Sequence, residues 1–137
     1  MADTAVALRW DGRGLNFAAE HPSGNSFLLD GDGRNAHSPV QALALALAGC
    51  TGADVVEIAQ KMRVPFSGLR VEVEADRNAE PPRFFKAVRM NFYVAGAQPE
   101  DREKLQRALD LSHEKYCSVL HSLRKDMTIT TSLVLEG

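Results

Sequence analysis

Cys50 and Cys117 are the side chains of this 137-residue sequence best suited to redox chemistry. A thiolate attacks peroxides and disulfides, and two thiols that meet can cycle between dithiol and disulfide. In a reducing compartment two cysteines make a poor permanent staple, which leaves inert buried thiols or a reversible pair. Asp54 lies one helical turn after Cys50, and with Leu43, Leu47 and Ile58 the two share a mostly apolar stripe. That stripe places Cys50 toward the interior, where a cysteine can also serve simply as a small hydrophobe. A buried Asp54 needs a partner, and its charge opposes ionisation of Cys50, so a reactive Cys50 requires a cation from elsewhere. Arginine keeps its charge and can hold thiolate and carboxylate together; Arg9, Arg13 and Arg34 are the candidates. Each taken alone reads as a solvated surface residue.

His113 stands four residues before Cys117, so at helical spacing the two share a face. Cys50, Asp54, His113 and Cys117 could together supply four metal ligands, but no paired-ligand motif of the usual zinc spacing is present. His21, His37 and His121 read as loop or surface residues. The glycine pairs Gly12/Gly14 and Gly31/Gly33 lack phosphate-loop spacing and read as hairpin turns. There is no serine nucleophile elbow.

These residues must be positioned by a simple series of elements. Thr4–Trp10, Leu15–Glu20 and Ser26–Asp30, separated by Gly, Pro and Asn turns, predict a three-stranded meander. Ser38-Pro39 is a helix start, and the Ala- and Leu-rich run to Met62 predicts one long helix. Its first half is apolar on nearly every side, which suits a helix buried in a protein or against a second subunit. Leu69–Ala75 and Phe84–Ala95 predict two strands, Pro99–Tyr116 a second helix, Ser118–Lys125 a short helical piece, and Met127–Leu135 a last strand. Cys117 thus falls at a helix junction. Strands grouped in blocks between helices argue for an α+β fold.

The mixed, scattered charge, net -2, predicts neither a nucleic-acid partner nor an anionic membrane surface. The N-terminal segment has no signal-peptide core, and the apolar stretch Val40–Gly49 is too short to span a bilayer, so a cytoplasmic location and no membrane partner are expected.

Ser38–Val56, S-P-V-Q-A-L-A-L-A-L-A-G-C-T-G-A-D-V-V, resembles the central-helix motif of the OsmC/Ohr family. Leu111–Val119, L-S-H-E-K-Y-C-S-V, resembles that family's second cysteine motif, and both versions are most similar to its YhfA-like branch. The element order agrees along essentially the whole chain, as one domain over residues 1–137. The resemblance implies two antiparallel sheets wrapped around long central helices in an intertwined homodimer, with active sites at the subunit interface. It implies a peroxidase for organic hydroperoxides in oxidative-stress defence, with no cofactor. Cys50 would become a sulfenic acid, Cys117 would resolve it as a disulfide, and a dithiol reductant would reset the pair. Arg13 is the first choice for the family's arginine and Arg34 the second. One departure stands out: where Ohr proteins carry a glutamate after the helix-start proline, this chain has Val40, followed by the uncharged Gln41. Weakened activity follows from that loss, with Asp54 a candidate for the carboxylate role. The alternative is a non-catalytic dimer that binds an apolar small molecule in its interface pocket.

Overall fold

The computed structural model describes residues 2–136. They form an α+β fold in two compact units, one running to Leu43 and the other beginning at Ala44.

The first unit is the expected meander. Strands β1 (Ala7–Trp10), β2 (Asn16–Glu20) and β3 (Leu28–Asp30) pair antiparallel in that order, with Trp10 opposite Phe17 and Phe17 opposite Leu29. Asp30 organises the loop that follows. Its buried carboxylate accepts the backbone N–H groups of Asp32 (2.9 Å), Arg34 (3.1 Å) and Asn35 (2.9 Å). Those donors, Asn35 foremost, hold the carboxyl below its ordinary pKa. The loop delivers the chain to Ser38, where a capping box starts α1 (Pro39–Lys61): the Ser38 hydroxyl accepts the Gln41 N–H at 3.2 Å, and Gln41 Oε1 accepts the Ser38 N–H at 2.9 Å. Gln41 is therefore committed to the helix start.

Helix α1 begins in the first unit and continues through the second. Its buried positions are Leu47, Thr51, Gly52, Val55 and Ala59. The expected inward stripe through Leu43, Cys50, Asp54 and Ile58 is thus corrected: Cys50, Asp54 and Ile58 are half-buried beside the buried line, and Leu43 is 41% exposed. A helix apolar all round carries no phase information of its own. Tertiary packing supplies it, and at Gly52 an added Cβ would make ordinary van der Waals contact with Val71 (3.7 Å) and Leu69 (3.8 Å). The helix is also longer than its most apolar stretch, and by length and composition alone it is long and apolar enough to cross a membrane.

The second unit carries a sheet of β4 (Gly68–Arg77), β5 (Phe85–Ala95) and β6 (Thr128–Glu136), in that order. Here the expectation of two antiparallel sheets is corrected, because β6 runs parallel to the central strand β5. Residues 96–127 form a helical crossover, the kind of connection that lets a chain return parallel to its neighbour. β5 alternates strictly, burying Val88, Met90, Phe92 and Val94. Leu105, Ala108 and Leu109 of α2 (Arg102–Leu111) and Leu133 of β6 are buried in the same unit, and the Arg102 guanidinium donates to the Leu133 carbonyl at 2.6 Å.

Two outcomes follow. Leu47→Ala removes a fully buried side chain and should cost about 2–5 kcal/mol in urea unfolding. Because Asp30 has a depressed folded pKa, its contribution is complete above the ordinary carboxylate range and fades as pH falls through the folded value. Asp30→Asn should therefore flatten the acid limb of the stability profile, and an unchanged acid limb would contradict this role.

Candidate redox site

The second cysteine is placed by an irregularity. After α2 the helix widens into one π turn, Ser112–Tyr116, closed by the Cys117 N–H donating to the Ser112 carbonyl at 2.8 Å. Such turns occur often at functional sites. Cys117 then leaves helical geometry (φ -75, ψ 99) and becomes the cap of α3 (Ser118–His121), its sulfur accepting the Leu120 N–H at 3.4 Å. The Thr51 hydroxyl of α1 donates to the same sulfur at 3.5 Å. Cys117 is 0% exposed, whereas Cys50 is half-buried, and both thiols are free.

Asp54 joins them. Its Oδ2 accepts the hydroxyl of fully buried Ser112 at 2.8 Å. Among the described residues of the second unit no ion pair reaches it, so the partner a buried carboxylate requires is here a hydroxyl. One donor atom from each of Cys50, Asp54 and Cys117 lies within 4.8 Å of the other two. Ser112 and Thr51, which sequence reasoning passed over, are therefore the groups that orient this trio. Their signal was present: each is a lone hydroxyl inside an otherwise apolar helical face.

Burial pushes the Cys117 thiol pKa up, and the neighbouring Cys50 adds to that, against the lowering effect of hydrogen bonds from Thr51 and Leu120. The neutral S–H is thus the resting state of the inner sulfur, available to face the outer one.

His113 does not share a face with Cys117. The π turn and the extended backbone at residue 117 break the helical spacing, and the trio forms without it. Its buried Nε2 has no hydrogen-bond partner among the described residues, its carbonyl accepts His121 Nε2–H at 3.0 Å, and burial lowers its pKa. Three of the four metal ligands suggested by sequence come together; the fourth does not.

The three arginines lie in the first unit. Arg13 sits in the β1–β2 turn, where its backbone N–H donates to Asp11 Oδ1 at 2.8 Å. Arg34 is in the Asp30-organised loop, and Arg9 pairs with Glu20 at 2.9 Å on an exposed surface.

Comparison with known proteins agrees with this architecture. The family model described as OsmC-like protein matches residues 31–132. Protein YhfA of Escherichia coli (strain K12) is 41% identical over 120 residues, covering 87% of this chain and 89% of that protein. A hypothetical protein from Aquifex aeolicus VF5 superposes with a TM-score of 0.84 at 20% identity, covering 99% of this chain and 98% of its own. The organic hydroperoxide resistance protein OsmC from Legionella pneumophila superposes with a TM-score of 0.67 at 21% identity, covering 98% and 99%. At these identities the two structures are similar in fold.

The unequal exposure of the sulfurs is directly measurable. Iodoacetamide on the native, reduced protein should label Cys50 and spare Cys117 until the chain is unfolded. Equal labelling of both under native conditions would show that Cys117 is not sealed.

Proposed function

The chain belongs to the OsmC-like family, and from that premise we propose that it is a thiol-dependent peroxidase that reduces organic hydroperoxides through Cys50 and Cys117. The observation that carries the reading is the approach of the two sulfurs to within 4.8 Å, from separate elements of the second unit. The more exposed sulfur, Cys50, is the one a substrate can reach. Its thiolate attacks the terminal peroxide oxygen, the O–O bond breaks, and the alcohol departs with a proton, leaving a sulfenic acid on Cys50. The Cys117 thiol then attacks that sulfur, water leaves, and a disulfide forms. An external dithiol returns both sulfurs to the reduced state by exchange. Keeping Cys117 protonated until this second step suits the order, because the inner sulfur then donates a proton to its neighbour and does not repel it.

Bonding distance between sulfurs is about 2 Å, so closure requires side-chain rotation and some adjustment of the cap at residue 117. That cap is a four-residue helix beside a π turn, which is a short piece to move. Arg13, with Arg34 as second choice, is proposed as the counterpart of the family's arginine. The working form is proposed to be a homodimer in the cytoplasm. The exposed Leu43 and Leu45 of α1, and Leu8 and Trp10 of β1, are the apolar surfaces a second copy would cover.

A second reading has its own observation. An open groove of about 850 Å³ between α1 and β4 is lined by Val56, Val64, Phe66 and Val71. A non-catalytic dimer that binds an apolar small molecule would use such a surface.

With a dithiol present, wild type should consume cumene hydroperoxide and Cys50→Ser should fall to the buffer rate. Cys117→Ser should complete one turnover and hold a sulfenic acid that dimedone traps. If intact mass and peptide mapping find no Cys50–Cys117 disulfide after stoichiometric peroxide, the binding reading takes its place.

A further inference from the structure

We propose that the reduced trio of Cys50, Asp54 and Cys117 is also a binding site for a zinc-class divalent cation, independently of any peroxide turnover. Each residue offers one donor atom, and all three lie within 4.8 Å of one another. In a tetrahedral site with Zn–S near 2.3 Å and Zn–O near 2.1 Å, ligand atoms stand roughly 3.6–3.8 Å apart. The trio therefore needs a contraction of at most about 1.2 Å, within the reach of side-chain rotation.

The surroundings fit the same chemistry. Metal-bound thiolates and carboxylates are characteristically held by hydrogen bonds from outside the coordination sphere. Here the Cys117 sulfur already accepts from the Thr51 hydroxyl and the Leu120 N–H, and Asp54 Oδ2 accepts from Ser112. Each of these donors would oppose the negative charge that a ligand must carry. Two sulfurs and one oxygen favour zinc, cobalt or cadmium over magnesium or calcium, which prefer all-oxygen shells. Half-buried Cys50 and Asp54 leave a side open to entry. His113 stays outside the group, so with three protein ligands one position remains for water or an exchangeable ligand. Binding would displace the protons of both thiols, so affinity should fall as pH is lowered. Because the cation needs both sulfurs as thiolates, bound cation and disulfide are mutually exclusive states of the protein.

The test uses the reduced, tag-free full-length protein titrated anaerobically with Co²⁺. Uptake of one equivalent per chain with intense sulfur-to-cobalt charge-transfer absorption, displaced by Zn²⁺, is the expected result. Cys50→Ser and Cys117→Ser should each lose about half of that absorption. Asp54→Asn, folded by circular dichroism, should bind more weakly, and Ser112→Ala should lose roughly tenfold in affinity. Co²⁺ uptake without charge-transfer bands, bands of undiminished intensity in both cysteine variants, or wild-type affinity in Asp54→Asn would each overturn the site. Hydroperoxide consumption is assayed on separate metal-free protein, so failure of the peroxidase reading and failure of the metal site register independently.

Discussion

A sulfur removed from water has to be held by its neighbours, and the sealing of Cys117 is the constraint on which the site depends. Two donors hold it: the Thr51 hydroxyl from α1 and the Leu120 N–H from the first turn of α3. The first bond ties the crossover helices to the long helix. The second starts α3 with a thiol in the place usually taken by serine or aspartate. Cys117 is thus a structural cap as well as the proposed resolving thiol, and any chemistry at its sulfur must rearrange the cap.

The second anchor is Asp54. Left without a partner, a half-buried carboxylate such as Asp54 costs free energy. The Ser112 hydroxyl offsets part of that cost by donating to Oδ2. Ser112 has a further bond through its carbonyl, which accepts the Cys117 N–H across the π turn. One residue therefore fixes both the carboxylate and the backbone carrying the inner thiol. Among the described residues of the second unit no ion pair reaches Asp54, and the metal proposal answers that deficit.

Helix α1 links these features to the rest of the chain. Its start is secured by the Ser38–Gln41 capping box, so the absence of a glutamate after Pro39 leaves the helix terminus intact. What the absence removes is a negative charge near that end, and Gln41, engaged in the cap, does not restore it. Along its length α1 buries Leu47, Thr51, Val55 and Ala59 while Leu43 and Leu45 stay exposed.

Much of this was legible in the residues alone. The order of strands and helices follows from period-2 and period-3.6 patterning, and the helix start at Ser38-Pro39 and the junction at Cys117 follow from local chemistry that acts over a few residues. The family motifs around Cys50 and Cys117 were equally local. The rotational phase of α1 was not legible, because nearly every side is apolar and only tertiary packing selects the buried line. Nor was the parallel return of β6, since pairing direction depends on where the crossover delivers the chain. The π turn separated His113 from Cys117 by inserting one extra residue into a helical spacing that sequence presents as regular. Thr51 and Ser112 gained their roles in the same way, as partners brought together by packing across distant segments. Composition and spacing identify which groups can react; which of them actually meet is decided by packing, because it depends on rotations and register shifts that carry no local energetic signature.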